Sequence, residues 1–237
     1  MKHACNITTL LFLLTIVVQP GMASEGLDFS IARGGKLYDK WFKVNTSNAP
    51  NMANPAYPES GKYKGKKASD WRCKECHGWD YLGKDGAYSS GKHFTGIGGI
   101  FQASTMNRTK LASVLRDNNH GYAGNMLSDR DVMDISNFLQ EGMVDMDRYI
   151  DRSSKKISGD AVKGKSYYQT ICTGCHGLDG KAEDEAPPLG KLSNKNPWES
   201  LHKILNGQPD AEMPALLALD MQVSVDILAY LQTLPQE

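Results

Sequence analysis

Cys73-Lys74-Glu75-Cys76-His77 and Cys172-Thr173-Gly174-Cys175-His176 are two copies of one pattern, C-x-x-C-H. The pattern decides the fold because each copy asks for one helical turn that presents two thiols and an imidazole together. Two thiols about one turn apart can add to the two vinyl groups of a porphyrin, and the next residue then sets its ring on the iron. That spacing is the signature of covalent haem attachment, so the chain is expected to carry two haem c groups with their iron. Other uses fit less well. A disulfide within each pair would be too tight for an ordinary structural bridge and gives the following His no part. A zinc ion shared by both pairs also leaves the histidines without a role.

Working outward, the sequence around the two motifs repeats. Gly164-Lys165-Ser166-Tyr167-Tyr168 ahead of the second motif echoes Gly34-Gly35-Lys36-Leu37-Tyr38 ahead of the first. Behind the motifs, Gly78-Trp79-Asp80 matches Gly177-Leu178-Asp179. The ends match as well, Asp134-Ile135-Ser136-Asn137-Phe138-Leu139-Gln140 against Asp226-Ile227-Leu228-Ala229-Tyr230-Leu231-Gln232. A repeat at this spacing means tandem domains. Ser128 with Asp131 predicts the cap of one terminal helix, its face Val132, Ile135 and Leu139 and its stop Gly142. Asp220 predicts the cap of the other, with Val223, Ile227, Tyr230 and Leu234 on its face and Pro235 at its end.

These residues resemble the class I cytochrome c family, the second half closely. In that family a Gly and an aromatic on the first helix, eight and four residues before the first Cys, interlock with an aliphatic and an aromatic on the last helix. Gly164 and Tyr168 with Ile227 and Tyr230 hold those places, and Gly34 and Tyr38 with Ile135 and Phe138 match more loosely. The resemblance implies a mainly α fold of two tandem cytochrome c-like helical domains, each around one covalently bound haem. The expected organisation is a signal peptide over 1–23, a first domain over 24–148, a linker over 149–158 and a second domain over 159–237. The first domain carries an inserted stretch, 44–70, whose Pro50, Pro55 and Pro58 exclude a continuous helix. It is expected to be a covering surface flap, with a basic docking patch built on Lys62, Lys64, Lys66 and Lys67 as the alternative. The linker is polar and without apolar periodicity.

The resemblance also implies how the iron sites are completed. His77 and His176 are the proximal ligands and Cys73, Cys76, Cys172 and Cys175 the covalent anchors. Met213, before Pro214 and upstream of the last helix, stands where the family places its axial sulfur, and Pro187 in Ala186-Pro187-Pro188-Leu189 is expected to offer its carbonyl to the proximal imidazole. Thr95-Gly96-Ile97-Gly98-Gly99 lies in the corresponding place of the first half, without a proline. The first distal ligand stays open among His120, Met126, Met106 and His93. His120 is preferred because it lies seven residues before Leu127, as Met213 lies six before Leu219; Met126 is the alternative. Trp71, Trp79, Tyr81 and Trp198 are candidate haem-pocket walls.

The chain start, with Lys2, an apolar Leu10 to Val18 and the small residues of Gly21-Met22-Ala23, predicts export with cleavage after Ala23, against an uncleaved anchor. The apolar run is shorter than the ~20 residues of a spanning helix. The protein is thus expected to be periplasmic or otherwise exported, without a membrane span after cleavage, and Cys5 is lost with the signal. Lys plus Arg and Asp plus Glu balance at 27 each, so no basic field points to nucleic acid. The expected function is single-electron transfer between redox proteins acting as donor and acceptor. Alternatives are a dihaem oxidoreductase with an open or displaceable ligand at the first haem, or the electron-accepting subunit of a dehydrogenase complex.

Overall fold

The computed structural model describes residues 21–66, 68–183 and 186–237. The expected signal lies outside these residues up to position 20, and Cys5 with it. The described chain is mainly helical: α1 (Gly21–Val44), α2 (Cys73–His77), α3 (Arg108–Leu115), α4 (Asp129–Asn137), α5 (Ala161–Ile171), α6 (Thr173–His176), α7 (Leu189–Lys195), α8 (Pro197–Asn206) and α9 (Met221–Leu231). Among the described residues there is no strand, only two isolated antiparallel bridges, Gly83 with Gly98 and Ile150 with Ile157. No helix among them is long and apolar enough to cross a membrane.

Capping chemistry sets the helix starts. Ser128 and Asp131 form a reciprocal capping box on α4, and a π-helical turn over Phe138–Gly142 finishes that helix at the expected glycine. Asp160 accepts from the amides of Val162 and Lys163 to start α5, and Asp220 accepts from Gln222 to start α9. Helix α9 departs from expectation: it ends at Leu231, and its buried side is Val225, Ile227, Leu228 and Leu231, with Val223 and Tyr230 only half-buried.

Two helix crossings build the frame, α1 on α4 and α5 on α9, and they use the same chemistry. A methyl placed on Gly34 would fall well under 3.0 Å from the Asp134 carbonyl, and one on Gly164 would do the same against Asp226. Only glycine lets the two backbones come this close. Both aspartates are tied to the opposite helix or its cap. Asp134 takes Ser30 and Arg33 at 2.5 Å each, while Asp226 accepts from the Asp160 amide at 2.8 Å.

Apart from Lys67, which lies outside the described residues, the 44–70 stretch is a flap closed on itself. Asp70 is buried and accepts from the amides of Asn54 (3.0 Å) and Gly65 (2.7 Å), which draws the loop closed. Lys64 turns inward onto the carbonyls of Asn54 and Tyr57, so it holds the loop instead of offering charge to a partner. The 149–158 segment is also more built than its polar sequence suggests. It is a hairpin closed by the Ile150–Ile157 bridge, with both isoleucines buried and Asp151 accepting from Ser153 and Ser154 across the turn.

Candidate haem-attachment sites

Each C-x-x-C-H turn is held by the helix that precedes it. Tyr38 on α1 donates to the Gly78 carbonyl at 2.6 Å, and Tyr168 on α5 donates to the Gly177 carbonyl at 2.7 Å. In both cases the acceptor is the residue directly after the motif histidine. The chain beyond then folds back in the same sense, Gly83 N–H onto the His77 carbonyl at 2.8 Å and Ala182 N–H onto the His176 carbonyl at 3.2 Å.

At the first motif, His77 Nδ1 lies 2.9 Å from the Gly98 carbonyl. A carbonyl can only accept, so Nδ1 carries the hydrogen and Nε2 keeps its lone pair for a metal. Gly98 reaches this place because the 95–99 loop is zipped to the residues after the motif, through the Gly83–Gly98 bridge and Lys84 N–H on Ile97 O at 2.8 Å. Burial pushes the His77 imidazole down to about 4 despite that hydrogen bond, which keeps it neutral, as a ligand must be.

His120 lies opposite. Its ring centre is 6.4 Å from that of His77 and the two planes are 25° apart. Its Nδ1 is 3.2 Å from Asp117 Oδ1, so Nε2 is again the nitrogen left over. That spacing would allow one metal to be held by both imidazoles. The other candidates are placed differently. Met126 is half-buried against the edge of the core. Met106 is exposed. His93 is stacked between Tyr88 and Tyr63, at 4.6 and 5.1 Å, and pairs with Glu75 at 3.1 Å.

The thiols are half-buried to exposed and none is in a disulfide among the described residues. Burial pushes Cys73 and Cys172 up to about 11 and Cys76 up to about 12, so they stand as protonated thiols in the folded chain. Among the described residues no three His, Cys, Asp or Glu side chains converge on a common metal position, so the two pairs do not assemble into one tetrahedral site. Inside the first motif, Lys74 and Glu75 are buried as an ion pair at 2.5 Å. Burial works against the Glu75 carboxylate, but His93, Lys74 and Arg72 outweigh it and hold the group at about 2.

The second site differs in its support. His176 Nδ1 is buried and has no hydrogen-bond partner among the described residues, so the carbonyl expected from Pro187 does not reach it. The second half ties its proline segment to the residues after the motif by a different bond, Leu189 N–H on Gly180 O at 3.0 Å in place of a bridge like Gly83–Gly98, and this tether puts no carbonyl at His176 Nδ1 among the described residues. Burial lowers the His176 pKa, with the Glu183 charge opposing. Met213 is half-buried on the connection between α8 and α9, which returns against α8 through Leu216 N–H on Ile204 O and Leu217 N–H on Leu205 O, both at 3.1 Å.

The aromatic candidates divide. Trp71 Nε1 donates to Met52 O in the flap at 2.8 Å, so this ring fixes the cover over the first motif. Trp198 is buried on α8 with Arg152 over its ring and Nε1 without a partner among the described residues. Trp79 and Tyr81 pack against His202 of α8, in the seam between the two halves. His202 and the Gly98 carbonyl are the groups that sequence reasoning passed over. For His202 the only signal was a histidine on the apolar face of α8, beside Trp198, Leu201 and Leu205.

Comparison with known proteins gives one family match. Residues 159–231 match the family described as cytochrome C oxidase, cbb3-type, subunit III. No curated protein matches the chain. The matched segment runs from just before α5 to the end of α9 and contains the second C-x-x-C-H. The likeness supports a c-type cytochrome domain there, with haem c and a role in electron transfer.

Proposed function

We propose that the chain is an exported dihaem c-type cytochrome that passes single electrons between redox partners. Two tandem domains would each hold one haem, through Cys73, Cys76 and His77 in the first and Cys172, Cys175 and His176 in the second. The observation that carries this reading is that the first motif stands in the same frame as the second. Each is preceded by a glycine crossing and by a tyrosine bonded just behind the motif histidine, and the second lies in the segment that matches the cytochrome family. Haem iron supplies a one-electron ferrous/ferric couple when bound.

The chain's own residues orient and enclose that group. Gly98 fixes the tautomer and direction of His77, and Asp117 does the same for His120, so these two imidazoles would hold the iron of the first site. Met213 would supply a sulfur at the second, a ligand that favours reduced iron and a higher potential. The flap shields the first site, its Trp71–Met52 hydrogen bond tying the cover to the motif. A second reading, membership of a larger redox complex, is favoured by the match to a family named as an oxidase subunit.

The test is stoichiometry with ligand variants. Mature protein should carry two haems that survive denaturation and acid-organic extraction, and a Cys73→Ala/Cys76→Ala double variant should keep one. His120→Gly should turn the first haem high-spin and let carbon monoxide bind, while Met126→Leu should change little. Protein that holds zinc and no haem would end the reading, and carbon monoxide binding by the wild type with turnover of a small oxidant would favour the oxidoreductase alternative.

A further inference from the structure

His202 belongs to neither C-x-x-C-H site, yet it is fully buried and spends both ring nitrogens on the other half of the molecule. Nε2 is 3.0 Å from the Gly35 carbonyl on α1, and Nδ1 is 2.9 Å from the Tyr81 hydroxyl. Because the carbonyl only accepts, Nε2 carries the hydrogen. A neutral imidazole then accepts through Nδ1, and Tyr81 is the donor. The ring therefore reads one acceptor and one donor, in a fixed sense, from two separate segments of the first half. Burial, only partly offset by Asp39, pushes its pKa down to about 4, in keeping with the neutral form.

Both partners are themselves shaped for this contact. Gly35 follows the glycine of the α1–α4 crossing and lies against Asn206 of α8; a methyl there would collide with the Asn206 side chain. Tyr81 is fully buried with φ of 63°, a region that residues other than glycine seldom adopt. Its backbone is held there by two amides on its carbonyl, Ile100 at 2.8 Å and Phe101 at 3.2 Å. Trp79, two residues beyond His77, lies 5.1 Å from the His202 ring, between the Lys74 and Lys203 ammonium groups. Lys203 also bonds Asp39 of α1 at 2.9 Å, and Arg152 of the hairpin bonds Asp80 at 2.8 Å.

We propose that His202 is the positioning residue of this seam: its two hydrogen bonds set the register of α8 on α1 and Tyr81, and thereby hold the two C-x-x-C-H motifs at one fixed separation. The functional consequence rests on the dihaem reading, since a fixed separation gives an electron one tunnelling distance between the two sites. The charged contacts around the ring hold the halves together. The imidazole sets where they meet, because its donor and acceptor are satisfied in one alignment only.

The test compares His202→Gln with His202→Phe in the full mature protein. The Gln amide can present a donor and an acceptor, whereas Phe fills the space with neither. Hydrogen exchange is followed in peptides over 34–41, 79–83 and 197–207, with trypsin cleavage at Lys155-Lys156 and electron redistribution between the two sites after a reducing flash. Phe should raise seam exchange at least tenfold, speed cleavage several-fold and disperse the single redistribution rate. Exchange in the α5–α9 crossing should stay unchanged, and Gln should remain within about threefold of wild type throughout. Should the Phe variant fail to fold, Tyr81→Phe removes one bond alone and should give an intermediate rise in exchange. Wild-type seam exchange in the Phe or Tyr81→Phe variant, or equal loosening by Gln and Phe, overturns the proposal. Haem content is measured in parallel: a wild type with fewer than two haems refutes the dihaem reading, while exchange and cleavage still decide the seam.

Discussion

Gly164→Ala tests the crossing on which the C-terminal half is built. The added methyl would sit well under 3.0 Å from the carbonyl oxygen and carbon of Asp226 and 3.1 Å from the Ile227 nitrogen. All three obstacles are backbone atoms of α9, so no side chain can rotate away and α5 must move as a body. Two effects oppose each other. Alanine improves helix propensity over glycine by about 1 kcal/mol, while overpacking of a close contact costs about 1–3 kcal/mol and more where the backbone must give. Separating the helices also strains the Tyr168 bond to Gly177, adding about 1 kcal/mol. The net loss is roughly 1–3 kcal/mol, which for a unit of this size lowers its unfolding temperature by about 5–20 °C. Calorimetry or circular dichroism of holo-protein measures it. Gly26→Ala is the control, since a methyl there meets nothing within 4 Å. A Gly164→Ala protein melting within about 2 °C of wild type would refute the close crossing.

Met213→Ala should abolish the sulfur-to-ferric-iron absorption band near the red end of the spectrum and leave both haems covalently attached; persistence of the band would reassign the sulfur. Asp39 is buried between Lys203 and Arg72, and although burial opposes its ionisation, those two charges hold it well below the usual carboxylate range. Asp39→Asn should therefore cost about 3–5 kcal/mol in denaturant unfolding, because it strands two partly buried cations. The pH dependence follows from His202, whose folded pKa of about 4 lies below its ordinary 6.5. As pH falls the unfolded chain takes up this proton first, so the contribution is complete above about pH 6.5, declines by roughly 3 kcal/mol down to pH 4 and is flat below. The difference between the wild-type and His202→Gln stability curves isolates it, and parallel curves would contradict the neutral buried imidazole.

Features that act within a few residues were legible in the sequence. The C-x-x-C-H turns, the Ser128–Asp131 capping box and the Asp220 cap each need only neighbours close along the chain. The glycines of the two crossings were legible because a duplicated Gly and aromatic at matched spacing carry a packing reason. What escaped depends on which distant segments meet. Asp70 looks like any loop acid until its two acceptor contacts close the flap, and Lys64 looks like part of a basic patch until its ammonium caps two carbonyls. Ile150 and Ile157 flank a polar run with no helical or alternating period, so only their pairing shows that the segment is a hairpin.

The histidines of the two motifs show the same division most sharply. Both motifs call for a carbonyl behind the imidazole, and the sequence offers a proline-rich segment in one half and a glycine-rich loop in the other. The resemblance points to the Pro187 carbonyl in the second half and to no particular residue of the 95–99 loop in the first. The structure makes the bond at Gly98, where the Gly83–Gly98 bridge and the Lys84–Ile97 bond hold the glycine loop under the imidazole, whereas the Leu189–Gly180 bond holds the proline segment without bringing a carbonyl to His176 Nδ1. Which carbonyl arrives behind an imidazole is set by how the segments pair, which residue type alone does not encode. His202 follows the same rule at larger scale. On α8 it is one polar residue on an apolar face, and its meaning comes from Gly35 and Tyr81, both more than a hundred residues away in the other half.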